Sequence, residues 1–165
     1  YAQTAVRDDF VIRHEEYYLN TWRAFMKAGM AKFLVAEVQN EPIAALIIFH
    51  FNGTARYMYG MSTEQFRELM PNYLLQWEAM RLSKQQGCHT YDMWGAPDVF
   101  DQSDSMWGVF RFKQGFNGTT VRHLGAWDYS PRPLFYTAYT QLLPKLLDLM
   151  RRRGKSETEK KLKQD

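Results

Sequence analysis

A chain of 165 residues, 45% hydrophobic and 16% aromatic, has enough apolar side chain to close one domain-sized core, which excludes an intrinsically disordered protein. The formal charge of +3 is misleading, because residues 151–165 hold seven Lys and Arg against three Asp and Glu, which leaves residues 1–150 at −1 and places the excess in a basic tail. One cysteine, Cys88, excludes an internal disulfide framework and a thiolate zinc site and reads as a packing residue, and the histidines at 14, 50, 89 and 123 show no metal-ligand spacing.

The start at Tyr1-Ala2-Gln3-Thr4 reads as the middle of something polar and helical, and predicts a longer protein with a missing N-terminal partner. The longest apolar run, Ile43 to Phe49, is far short of the roughly 18 residues of a membrane helix. No signal-peptide pattern opens the chain, so a soluble, cytoplasmic protein is expected.

From Glu15 to Ala28 the spacing of Tyr18, Trp22, Phe25 and Met26 predicts an amphipathic helix closed by Gly29. Lys32 to Gln39, Ile43 to Phe51 and Ala55 to Tyr59 read as three antiparallel strands, joined through Asn40-Glu41-Pro42 and Asn52-Gly53-Thr54. A second helix is predicted from Pro71 to Gln86, with Tyr73, Trp77 and Met80 as its stripe and Gly87 as its stop.

Strand Thr90 to Trp94 follows, then a loop and short helix around Ser103 to Gln114, then a strand pair at Thr120 to Leu124 and Ala126 to Tyr129. The final helix opens at Pro133 and is expected to turn Phe135, Tyr139, Leu142, Leu146 and Met150 inward, with a kink at Pro144. Residues 1–150 form the expected domain, and residues 151–165 a solvated or frayed tail, with RNA or an anionic membrane surface as the minority partner.

This order of elements is that of an α/β (α+β) fold of the N-acetyltransferase-like (GNAT) type, a mixed, mostly antiparallel sheet flanked by helices. Acetyl transfer on such a fold needs a glycine-rich turn after the meander, so that backbone N–H groups at a helix N-terminus cradle the pyrophosphate of acetyl-CoA. Between Met61 and Gln86 there is no glycine, and acetyl-CoA is therefore not expected as a cofactor.

The most informative stretch runs from Tyr91-Asp92-Met93-Trp94-Gly95-Ala96-Pro97-Asp98 to Trp107-Gly108-Val109-Phe110-Arg111-Phe112-Lys113-Gln114-Gly115-Phe116. It mixes aromatics, glycines and charges without periodicity, ends a strand at Gly95 and Pro97, and holds one lysine between phenylalanines, the marks of a shaped surface with a positioned charge. Asp92 is costly to bury unpaired, so it either meets a nearby donor or faces a cleft.

Together with Phe10-Val11-Ile12-Arg13, Tyr17-Tyr18, Ala55 to Gly60 and Leu69 to Ala79, these segments make nearly the whole chain resemble the second, C-terminal GNAT-like domain of the Fem (FemABX) transferases. The resemblance implies a cytoplasmic enzyme of cell-wall biogenesis and cell shape, working in the cytoplasm or at the inner face of the membrane, with peripheral membrane contact. It would take an amino acid of glycine, alanine or serine type from aminoacyl-tRNA. It would transfer that residue to the stem-peptide amine of lipid II or UDP-MurNAc-pentapeptide, with no metal and no covalent enzyme intermediate.

The same resemblance implies that Lys113 steadies the ester and its developing oxyanion, with Phe112 as its catalytic neighbour. It also implies that Arg13, Tyr17 and Tyr57 bind the phosphates and peptide of the precursor. Arg13 and Tyr17, four apart, share a face if the helix has begun by then. Tyr57 and Tyr59 are taken to face opposite sides of their strand, so that only one lines the site. No general base is legible. A non-catalytic binding module and a Fem-like enzyme acting on another amine stand as the alternatives.

Overall fold

A computed structural model describes residues 1–162 and side chains through Arg151. The elements are α1 (Ala2–Arg7), α2 (Glu15–Lys27), β1 (Ala31–Val38), β2 (Glu41–Phe51), β3 (Thr54–Ser62), a 3-10 turn at Arg67–Leu69, α3 (Pro71–Gln85), β4 (Thr90–Asp92), α4 (Trp107–Gln114) and α5 (Pro133–Leu162). The strands form one mixed sheet in the order β1-β2-β3-β4, antiparallel through β3 and parallel between β3 and β4.

Both hairpins are tight because their turns accept left-handed backbone. Gln39 and Asn40 lie at φ of 53° and 67°, and Asn52 and Gly53 at 47° and 70°, the pattern that matches strand twist. The central strand β2 is buried on both faces. Ala44, Leu46 and Ile48 pack under Leu75 and Ala79 of α3, with Leu34, Ala36, Tyr57 and Tyr91 around them. On the other face Trp22, Phe33, Phe25, Phe49 and Tyr59 interlock beneath α2. Leu46, Ile47 and Ile48 are the largest apolar side chains fully out of water. Each contributes about 1.5–3 kcal/mol by area.

A bulge interrupts the ladder between β2 and β3. Ile47 pairs with Tyr59 and Ile48 with Tyr57, so Met58 is an extra residue opposite two consecutive residues of β2. Side chains two apart on an unbroken strand share a face. The inserted Met58 instead sends Tyr57 to the α3 face and Tyr59 to the α2 face.

Several expectations are corrected. The buried face of α3 is Leu75, Gln76, Ala79 and Ser83, while Tyr73 and Trp77 of the expected stripe are exposed. Small Ala79 and Ser83 let the helix approach the sheet closely, and the aromatics are displaced to its flanks. β4 stops at Asp92 because Trp94 takes a positive φ of 66°.

The strands expected at 120–124 and 126–129 do not form. Leu124, Trp127 and Tyr129 stand 93%, 86% and 92% exposed on an irregular path with no strand beside it. The stripe Phe135, Tyr139, Leu142, Leu146 and Met150 is exposed rather than inward, since α2 and α3 already cover the two faces of the sheet and α5 meets α1. α5 continues through Pro144 and through the part of the basic tail up to Leu162; residues 163–165 lie outside the described residues. No helix among the described residues is long and apolar enough to cross a membrane.

Candidate active site

The ladder between β3 and β4 is three pairs long, from Thr54 with Thr90 to Arg56 with Asp92. Beyond it β3 runs on to Ser62 while the segment after β4 turns away, so β4 leaves the later part of that edge unpaired, and at its end the Ser62 N–H donates to Thr4 Oγ1 of α1 at 3.0 Å. The turn is built by Asp92. Its Oδ1 accepts the Trp94 backbone N–H at 2.8 Å, an Asx turn that stabilises the left-handed Trp94. Its Oδ2 lies 3.8 Å from Arg56 Nε, a loose and part-exposed pair. Asp92 thus meets a nearby backbone donor, one of the two roles its position allowed.

The turn aims the Gly95 carbonyl at α4, where Lys113 Nζ donates a 2.6 Å hydrogen bond to it. Lys113 is held there by aromatic packing. Phe112 and Phe116 clasp Tyr73 of α3 at 4.8 and 5.6 Å between ring centroids, and Phe110 packs on Phe100 and Trp107. The carbonyl of Phe112 accepts the Gly115 N–H inside the last turn of α4. Burial disfavours the Lys113 cation and lowers its pKa, while Asp92 pulls the other way. A half-buried ammonium with two N–H groups left beyond the Gly95 bond suits an oxygen that gains negative charge.

On the α2 face a second group forms. The Arg13 guanidinium lies 4.6 Å over the Tyr17 ring. The helix begins only at Glu15, so a shared helical face is not what joins them. Instead the Arg13 backbone N–H donates to Tyr18 Oη at 2.9 Å, which folds the preceding segment over the first turn. Tyr18 in turn packs edge-on against Tyr59, whose phenol pKa is raised by burial and by Tyr17 and Tyr18, with Arg13 opposing. Tyr1 and Phe10 close the cluster.

Tyr57 stands apart from it. Its phenol is linked to buried Gln76 on α3, which also accepts the Tyr91 hydroxyl at 2.8 Å. Among the described residues no hydrogen bond or ring contact joins Tyr57 or Lys113 to the Arg13–Tyr17 pair. Sequence reading named Arg13, Tyr17, Tyr57, Lys113 and Phe112. It missed Tyr59 as the neighbour of Arg13 and Gln76 as the partner of Tyr57, and neither could be placed without knowing the bulge.

Known structures share the architecture. The aminoglycoside 6'-N-acetyltransferase AAC(6')-Ih from Acinetobacter baumannii superposes with a TM-score of 0.54 at 16% identity, covering 76% of this chain and 87% of that one. AAC(6')-Iy, in complex with a bisubstrate analog, matches with a TM-score of 0.54 at 12% identity, covering 78% and 92%. At these identities the likeness shows the GNAT fold alone.

In sequence the chain is similar to the lipid II:glycine glycyltransferase of Staphylococcus haemolyticus, 24% identical over 120 residues, 73% of this chain and 29% of that protein. The Staphylococcus aureus protein of the same name is 28% identical over 102 residues, 62% and 24% respectively. The chain therefore spans less than a third of the length of these relatives. The FemAB family profile matches residues 27–143, which include the β-meander, α3, the Asp92 turn and α4, and the chain belongs to the FemAB family.

Proposed function

We propose that this chain is part of a transferase that moves an amino acid from aminoacyl-tRNA to the stem-peptide amine of a peptidoglycan precursor, at the cytoplasmic side of the membrane. Glycine is the residue favoured by the names of the staphylococcal relatives, and lipid II the acceptor favoured by them. One observation carries the reading to chemistry: Lys113 Nζ, fixed 2.6 Å from the Gly95 carbonyl where the chain leaves the sheet beside β3.

In the proposed reaction the acceptor amine attacks the carbonyl carbon of the aminoacyl ester. The carbonyl oxygen takes the negative charge, and the free N–H groups of Lys113 donate to it. The C–O bond to the terminal ribose breaks, the amide bond remains, and the proton lost by the amine passes to the departing ribose oxygen. Phe112 supports the step indirectly, by packing on Tyr73 and fixing α4. The Arg13–Tyr17–Tyr59 cluster offers a guanidinium fork and an aromatic wall to the diphosphate and adjoining parts of the precursor.

The reading is tested by incubating the full-length protein with glycyl-tRNA and lipid II or UDP-linked muropeptide and following the precursor by mass spectrometry. A gain of one amino-acid residue supports it. No gain with any aminoacyl-tRNA rejects it in favour of a binding module or another acceptor.

A further inference from the structure

Trp94 stands where its backbone favours glycine. Its φ of 66° is left-handed, a region that bulky side chains rarely take, and among the described residues at positive φ it is the one that is both aromatic and exposed. The residue is 59% exposed, and among the described residues no aromatic ring or guanidinium packs on the indole. Most of the ring therefore returns no packing for the backbone it demands.

The mount beneath it is fixed. Asp92 Oδ1 accepts the Trp94 N–H at 2.8 Å, Lys113 Nζ donates to the Gly95 carbonyl at 2.6 Å, and the Met106 methyl lies 3.4 Å from where a Gly95 Cβ would stand. The indole is thus carried one residue from the carbonyl that holds the lysine assigned to the ester oxygen. A costly, exposed side chain on a fixed turn beside a reacting group marks contact with a ligand.

An indole face takes a flat partner with a π-system. Of the two substrates in the proposed reaction, the donor carries such a group beside the reacting bond, because the amino acid is esterified to the ribose of the terminal adenosine. The acceptor presents a peptide amine there, and its one aromatic ring, the uracil of the UDP-linked form, lies beyond the diphosphate. The chain after the turn suits a polyanion: residues 105–127 hold Arg111, Lys113 and Arg122 and no Asp or Glu. Arg122 returns to the loop that follows Trp94, where it donates to the Asp98 carbonyl at 3.2 Å. We infer that Trp94 is a stacking platform for the terminal nucleobase of aminoacyl-tRNA, which sets the ester carbonyl against Lys113. The inference deepens the transferase reading and rests on it.

Substitution by glycine separates ligand contact from packing, since glycine relieves the left-handed backbone while deleting the ring. The full-length protein, its Trp94→Gly form and its Trp94→Phe form are assayed for transfer to lipid II from glycyl-tRNA and from glycyl-tRNA whose terminal nucleoside lacks its base. For Trp94→Gly the expected result is an unfolding midpoint no lower than the parent's. Its kcat/KM for glycyl-tRNA is expected to fall about 10-fold or more, the scale of one stacked base, through KM for the donor and not KM for lipid II. Trp94→Phe recovers most of that loss, and with the base-free donor the parent and Trp94→Gly have equal kcat/KM.

An unchanged donor KM in Trp94→Gly overturns the inference, as does a loss that persists in full with the base-free donor. A rise in KM for lipid II alone assigns the indole to the acceptor and also overturns it. If Trp94→Gly unfolds or loses stability, the indole is a packing residue and the inference falls. Absence of transfer from intact glycyl-tRNA by the unchanged protein rejects the transferase reading itself, and the inference with it.

Discussion

Tyr57 and Tyr59 are two residues apart on β3 and lie on opposite faces of the sheet, because the bulged Met58 stands between them. Tyr59 joins Arg13, Tyr17 and Tyr18, and Tyr57 joins Gln76 and Tyr91. The bulge therefore separates the face that carries Arg13 and Tyr17 from a face tied to α3.

Arg13→Ala tests the first face. Losing a charge-assisted contact to a phosphate costs about 1.5–3 kcal/mol, so KM for the precursor is expected to rise at least 10-fold with kcat within a few-fold of the unchanged enzyme. Steady-state kinetics with varied precursor measures this, and a fall confined to kcat would place Arg13 in the chemical step instead.

Gly60→Ala is expected to destabilise the fold by about 1–3 kcal/mol, the usual cost of forcing an atom into filled space. The new methyl collides with the Tyr57 hydroxyl. Chemical denaturation reads the loss, and Tyr57→Phe in the same background should recover part of it. A Gly60→Ala chain as stable as the parent would show that the phenol has room to swing away.

His50 makes the stability depend on pH. Ser83 Oγ gives its proton to the Ala79 carbonyl at 2.6 Å and so accepts from His50 Nε2–H at 3.2 Å, which leaves Nδ1 unprotonated, buried and without a hydrogen-bond partner. Burial, and then Lys32, depress the His50 pKa below its ordinary 6.5. The folded state thus binds fewer protons than the unfolded one. This contribution is whole above pH 6.5 and declines as pH falls from there through the folded pKa, with a slope of at most about 1.4 kcal/mol per pH unit. Denaturation at pH 5 to 8 is expected to show a shallower decline in His50→Asn, and equal slopes would dismiss the effect.

The meander was legible because Asn52-Gly53 and the Gln39–Asn40 turn carry backbone preferences in their own chemistry. The short helix that carries Lys113 among phenylalanines was legible from the segment up to Gln114 and the Gly115 that follows it. What could not be read depends on partners distant in sequence. The Met58 bulge is defined only against Ile47 and Ile48, and the buried face of α3 only by what Ala79 and Ser83 allow. At 120–129 Val121, Trp127 and Tyr129 are residue types that favour strands, but a strand exists only where a neighbour pairs with it, and Leu124 and Trp127 have none.

The most direct test of the account is the single-turnover rate of glycyl transfer to lipid II by the full-length protein, compared with its Lys113→Met form at saturating substrates. Loss of a donor to the developing oxyanion predicts a fall of 10-fold or more, at least about 1.4 kcal/mol in the barrier, with precursor binding unchanged. A Lys113→Met enzyme that transfers glycine at the parent rate would contradict the assignment of the site.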